Sequence, residues 1–139
     1  MKGIYVLIIS ICRGGATPPI QKIGSLGKFE FSPGKYIYVG SAQNGIEKRI
    51  RRHLRREKRK FWHIDYLLDN PLVKVDKVLY KEVGKEEECK TASLLLKYGI
   101  PVPGFGCSDC KCKSHLFRLK EHKIPQIITR NTTEFLTHS

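Results

Sequence analysis

Arg49 and His53 sit one helical turn apart in "IEKRIRRH", beside an apolar stripe of Ile46, Ile50 and Leu54. Both therefore belong where a helix meets the rest of the fold. A guanidinium held there can clamp a phosphate through two parallel hydrogen bonds, with an orientation that a free surface arginine lacks. Glu88 carries the opposite charge on a second helix. It precedes Ala92 by four residues and Leu95 by seven, so it shares their face while Glu86 and Glu87 turn to solvent. An inward carboxylate needs an arginine or a hard cation with oxygen ligands, and spacing alone favours the ion pair. Tyr5 and Tyr38 lie in strand-like segments, where tyrosines usually pack with satisfied hydroxyls. Their relation to Gly3, Gly40, Arg49 and Glu88 makes them candidates for more.

A second group is sulfur-rich. Cys107, Cys110, Cys112 and His115 form C-x2-C-x-C-x2-H, four soft ligands that could take zinc, although structural zinc sites usually draw ligand pairs from separated segments. A loop disulfide, a plain tight turn, or nucleophilic chemistry between Cys110 and His115 are the alternatives. No acyl-substrate site accompanies the last. Cys12 and Cys89 read as small core residues.

The 139 residues carry 26 Lys+Arg against 13 Asp+Glu, a formal charge of +13. Such an excess points to a polyanionic partner, with nucleic acid ahead of an anionic membrane surface, and argues against small neutral substrates. Nine Lys or Arg residues fall between Lys48 and Lys60, with Glu57 the single acid among them. Carried on a helix they would point almost all round. Lys48, Arg51, Arg52, Arg55, Arg56, Arg59 and Lys60 are the expected phosphate contacts, with His63 in reach. Trp62 and Tyr66 either pack on the core or offer an aromatic face to a base.

These residues need a frame. "GIYVLIISI" reads as a central strand buried on both faces rather than a signal peptide, because the run is short and Arg13 follows it. The Gly/Pro-punctuated stretch after it has strand-like pieces at Gln21–Ile23 and Lys28–Phe31, a hairpin pattern. Tyr36 to Val39 is the next strand, with Tyr36 and Tyr38 on one face and Ile37 and Val39 on the other. The basic helix begins near Gly45. A helix in "FWHIDYLLDN", a strand at Val73–Tyr80, a helix at Glu86–Tyr98 and a strand around His115–Leu119 complete the pattern. A single domain over 1–130, with a Cys-rich segment 104–117 and a frayed tail 131–139, is expected, and cysteine usage suits the cytoplasm.

"GIY" at Gly3–Tyr5, "YVG" at Tyr38–Gly40, the arginine helix "IEKRIRRH" and Glu88 together resemble the GIY-YIG endonuclease superfamily. The segments "FWHIDYLL" and "GFGCSDCKCKSHLF" are similar to an uncharacterised bacterial and archaeal branch of it. The resemblance implies an α+β fold, a small central sheet with an antiparallel core flanked by helices; the inserted hairpin expected between the first two motif strands is this chain's own. It implies hydrolysis of phosphodiester bonds in DNA, or less often RNA, with one Mg²⁺ (or Mn²⁺) on Glu88. Tyr5 would help activate water, Tyr38 would position water or phosphate, and Arg49 would stabilise the pentavalent phosphate. His53 would be a polar contact or alternative base. A phenol with an ordinary pKa of about 10 is a poor base, so Arg49 and a metal would have to lower it.

Two features depart from that pattern. The long Ser10–Lys35 stretch must form an extra hairpin that either covers the active face or extends the binding surface. No late asparagine can be placed, leaving Ser108, Asp109, Ser114 or His115 as substitutes. Two other readings stand beside the nuclease: a nucleic-acid-binding module on the same scaffold without turnover, and a zinc-stabilised interaction domain.

Overall fold

Gly3–Ile11 forms the central strand β1, and its alternation sorts the core into two layers. Tyr5, Leu7, Ile9 and Ile11 face one buried cluster, Val6 and Ile8 the other. A strand buried on both faces must be apolar throughout, and each fully buried Leu or Ile contributes roughly 1.5–3 kcal/mol relative to exposure. The computed structural model describes residues 2–15, 19–55, 58–107 and 110–136.

On one side β1 pairs with β4 (Gly34–Ala42), aligning Tyr5 with Gly40 and Leu7 with Tyr38. On the other it pairs with β5 (Val73–Lys81), with a bulge between Ile8 and Ile9. Two short strands, β6 (Gly99–Pro101) and β7 (Leu116–Leu119), extend the β4 side, and β8 (Thr133–Glu134) extends the β5 side. The order is β6-β7-β4-β1-β5-β8, antiparallel at each pairing. This is the α+β architecture anticipated from the sequence.

The inserted hairpin also forms. Ile20–Lys22 (β2) pairs with Lys28–Glu30 (β3) across a single 3-10 turn at Gly24–Leu26. Ile23 and Phe31 anchor it on the Tyr5 layer, and Gln21 accepts a hydrogen bond from Asn70. It backs α2 (His63–Leu68) and contributes no wall to the cleft described below.

Helix α1 spans Ile46–Leu54 and lies on the Tyr5 layer with Ile46, Ile50 and His53 buried. Gly45 starts it at φ 74°, a left-handed conformation that glycine adopts without penalty. The helix stops at Leu54 instead of carrying the whole basic run. Lys58 explains the stop: its Nζ donates to the carbonyls of His53 and Arg55, both at 2.8 Å, supplying a cation where the helix dipole ends negative. Helix α3 (Glu86–Leu95) packs on the opposite layer through Ala92 and Leu95, three residues shorter than its pattern suggests. Helix α4 (Gln126–Arg130) adds Ile128 to the same layer.

Part of the expected frayed tail is held. Thr133–Glu134 pairs with Leu79–Tyr80, and Phe135 N–H donates to the Val78 carbonyl at 2.8 Å. The edge of β5 offers unpaired backbone groups, and the tail satisfies them. Residues 137–139 lie outside the described residues.

Candidate active site

A cleft of about 720 Å³ opens at one end of β1 and β4, lined by Tyr5, Tyr38, Arg49, Trp62, Glu88 and His115, among others. Each comes from a different part of the frame. Tyr5 and Tyr38 stand on adjacent strands with ring centroids 6.4 Å apart. Gly40 makes room for the first of them: a Cβ there would lie 2.5 Å from both Cζ and the hydroxyl of Tyr5. The glycine of "YVG" is therefore set by the close approach of the Tyr5 ring, which crosses its own cross-strand partner.

Arg49 reaches the cleft from α1. Its Nη1 donates to the Ser41 carbonyl at 3.1 Å, and its guanidinium stacks over Trp62 with the carbon 4.2 Å from the ring centroid. Two fixed contacts leave the remaining donors oriented. Glu88 enters from the first turn of α3. Its partner is not an arginine: Glu88 Oε2 faces His115 Nδ1 at 3.4 Å, so the expected Glu–Arg pair gives way to a Glu–His contact. Arg49, the α1 arginine that reaches the cleft, bonds the Ser41 carbonyl and stacks on Trp62 instead. The Glu88 side chain keeps 15% exposure and lines the cleft. A hydrated Mg²⁺ or Mn²⁺ takes one or two carboxylates and keeps several waters, and this single open carboxylate fits such a donor set.

His53 is not in the cleft. It is 2% exposed and stands behind Tyr5, its Nε2 2.7 Å from the Tyr5 hydroxyl. Burial drives its pKa down to about 3, although Asp65 pulls the other way, so the ring is neutral and carries one proton. The Asp65 carboxylate opposite Nδ1 favours the tautomer with the proton there, which leaves Nε2 to accept from the phenol. Nδ1 has no hydrogen-bond partner among the described residues and faces Asp65 Oδ1 at 3.9 Å. Burial likewise raises the Tyr5 pKa above its ordinary value, and Arg49 only partly offsets this. The lowering anticipated from the arginine does not prevail, because desolvation of a phenolate outweighs one partly solvated cation. Tyr38 is raised for the same reason, burial first.

Asp65, fully buried, is the residue that spacing arguments undervalued. Burial alone would raise its pKa, but Arg52 and the N–H groups of Trp62 and Phe61 hold it below the usual carboxylate range. Arg52 grips it with two bonds of 2.8 and 2.9 Å, and both N–H groups donate at 2.9 Å. The available signal was an aspartate at the third position of a short helix, where a carboxylate satisfies free N–H groups. The same pairing fixes Arg52, which also borders the groove along α1 described below. His63 Nδ1 accepts from the Gly106 N–H at 2.8 Å and so holds the loop between β6 and β7.

The other basic positions divide. Lys48, Arg51, Arg52 and Arg55 border a shallow groove of about 670 Å³ on α1, with Arg51 paired to Glu47 at 3.0 Å. Lys60 pairs with Asp69 at 3.3 Å, while Arg59 is exposed beside Phe61, which is 75% exposed. Arg56 lies outside the described residues, as do Ser108 and Asp109. Ser114 does not substitute for a late asparagine, since its hydroxyl bonds the backbone of Leu116. Gln43 and Asn44, at the turn between β4 and α1, line the cleft and carried no sequence signal.

The sulfur group is assembled differently from its sequence motif. Ligand atoms of Cys89, Cys110, Cys112 and His115 all lie within 4.8 Å of one another. Cys107 is outside this set, its thiol directed at the Phe105 carbonyl at 3.5 Å. Cys89 is half-buried beside the loop rather than a core residue, and Cys12 is exposed.

Fold and cleft together define a class: a small α+β domain on an antiparallel sheet, with two tyrosines, an arginine and a glutamate around one opening. The chain belongs to the family described as domain of unknown function DUF123, whose model matches residues 4–137. No curated protein and no solved structure matches it. Among the described residues, no helix is long and apolar enough to cross a membrane.

Proposed function

We propose that this domain is a metal-dependent endonuclease of the GIY-YIG type that hydrolyses phosphodiester bonds in nucleic acid, DNA before RNA, in the cytoplasm. The observation that carries the reading is the convergence of Tyr5, Tyr38, Arg49 and Glu88, drawn from β1, β4, α1 and α3, on one solvent-open cleft. A scaffold that served only to grip phosphates would need α1 alone.

Nucleic acid approaches over the α1 groove, where Lys48, Arg51 and Arg55 meet phosphates. Phe61, exposed next to Arg59 and Lys60, offers a face on which a base can stack. Arg49, held by Ser41 and Trp62, presents its free N–H groups to the phosphate and favours the charge that builds there. Tyr38, whose hydroxyl bonds no protein group among the described residues, positions water or a phosphate oxygen. Tyr5 donates to His53 Nε2, and this fixes its lone pairs as acceptors for the attacking water.

At rest the Tyr5–His53 pair is neutral, because burial opposes charge on both rings. Charge separation is confined to the moment of bond-making: the water proton moves to the Tyr5 oxygen while the phenol proton moves to His53 Nε2. Asp65, opposite Nδ1, favours the imidazolium that results. A divalent cation on Glu88 would supply neutralisation of the leaving oxygen.

The test is a cleavage assay on a panel of single-stranded, duplex and branched DNA and RNA with Mg²⁺ or Mn²⁺, with Glu88→Gln and Tyr5→Phe as controls. Cleavage that both substitutions abolish supports the proposal. Tight binding with no cleavage of any substrate would reassign the domain as a nucleic-acid-binding module, and activity that survives both substitutions would place the chemistry elsewhere.

A further inference from the structure

We infer that Cys89, Cys110, Cys112 and His115 form a zinc site that ties the loop between β6 and β7 to the start of α3 and sets the position of Glu88. The inference rests on side chains that the cleavage chemistry leaves unused. Three thiols and an imidazole, one ligand atom each, lie within 4.8 Å of one another. A tetrahedral zinc with Zn–S of about 2.3 Å and Zn–N of about 2.0–2.1 Å spaces its ligands roughly 3.6–3.8 Å apart. Cys110 Sγ and His115 Nε2 are already 3.4 Å apart. The widest pair needs to close by about 1 Å, which rotation about cysteine χ1 supplies without moving the backbone.

The tertiary structure supplies the separated segments from which structural zinc sites usually draw their ligands. Cys110 and Cys112 alone are a cramped pair, but Cys89 arrives from α3 and His115 from the strand entry, so the ligands come from separated segments. Such a set suits a soft or borderline ion, and four protein ligands make a closed, structural site rather than a catalytic one.

The surroundings of His115 fit a ligand. It is 3% exposed, its N–H donates to the Phe105 carbonyl at 2.8 Å, and its carbonyl accepts from Val39 N–H at 3.0 Å. With the backbone so fixed, Nε2 faces the thiols and Nδ1 faces Glu88 Oε2. Metal-bound histidines commonly donate their other N–H to a carboxylate, which fixes tautomer and ring orientation. Glu88 is thereby held one residue from Cys89, with its Oε2 3.4 Å from His115 Nδ1. The 14 residues from Val102 to His115 contain no helix or strand among those described; Phe105 and the His63–Gly106 bond anchor the first half of the loop, and the metal would tie down the second.

The experiment measures metal in the full chain, purified under reducing conditions without chelator, and then in protein stripped, incubated with Zn²⁺ alone and desalted. About one zinc per chain is expected, falling to a small fraction in Cys89→Ser and Cys112→Ser and unchanged in Cys107→Ser. Cobalt reconstitution should give thiolate-to-metal charge-transfer absorption of three-thiolate intensity, lower by about a third per bound cobalt in Cys89→Ser at saturating cobalt. Glu88→Gln should keep the metal with affinity lowered roughly 10–100-fold. Should a serine variant misfold, the cobalt spectrum of the folded wild type and Cys107→Ser still decides. Wild type that retains no zinc, or a Cys107→Ser that loses it while Cys89→Ser keeps it, overturns the inference. These readouts are independent of cleavage, so a zinc-bearing protein without nuclease activity sinks the proposed function and leaves the zinc site standing.

Discussion

Tyr5→Phe deletes one oxygen, and with it the 2.7 Å bond to His53 in the interior. The lost bond costs about 1 kcal/mol, and leaving His53 Nε2 without a donor adds roughly 1–3 kcal/mol. A destabilisation of about 2–4 kcal/mol should appear in urea unfolding without a change of slope. The kinetic effect separates two roles. If Tyr5 passes its proton to His53, cleavage should fall about 10²–10⁴-fold, the range for loss of a general acid–base group. His53→Gln keeps a carbonyl acceptor for the phenol but cannot take its proton, so it should fall comparably. The double variant should then lose little more than either single one, because the two residues act as a unit. Single-turnover rates on a labelled substrate, taken with saturating cation, measure all four proteins. A His53→Gln that cleaves at the wild-type rate, or fold-losses that multiply in the double variant, would refute the relay and leave Tyr5 as an orienting group only.

Acid should destabilise the fold through His53. Its folded pKa of about 3 lies below the ordinary 6.5, so the unfolded chain binds the extra proton first and stability falls with pH below about 6.5. At pH near 4.5 the loss from this residue should reach roughly 2–3 kcal/mol relative to neutral pH, checked by comparing urea midpoints of wild type and His53→Gln. Asp65→Ala strands the Arg52 guanidinium and two N–H groups; calorimetry should register a loss of about 3 kcal/mol or an unfolded protein. Gly40→Ala should displace the Tyr5 ring, costing about 1–3 kcal/mol and most of the cleavage rate, with Gly45→Ala as a comparison that strains the backbone but leaves the ring in place.

The strands and the first helix were legible because their signals are local. Alternation fixes which face Tyr36 and Tyr38 share with each other, and the stripe through Ile46 and Ile50 fixes which side of α1 is buried. The inserted hairpin was legible from its punctuation. The length of the basic helix was not, because Lys58 caps it from beyond its end. Tyr5, Tyr38, Arg49 and Glu88 could be nominated from type and spacing, and they share one cleft.

What the sequence determined by itself was therefore the elements, their buried faces and a shortlist of reactive side chains, since periodicity and charge are written along the chain. Which side chains touch was decided only by the tertiary structure. His53 lies behind Tyr5 rather than beside it, Arg52 answers Asp65, Glu88 answers His115, and Cys89 displaces Cys107 from the thiol cluster. These pairings join residues 13 to 48 positions apart, and no local rule orders contacts across such separations. Burial then settles their charge: the same phenol and imidazole that would titrate normally in water are both held neutral inside.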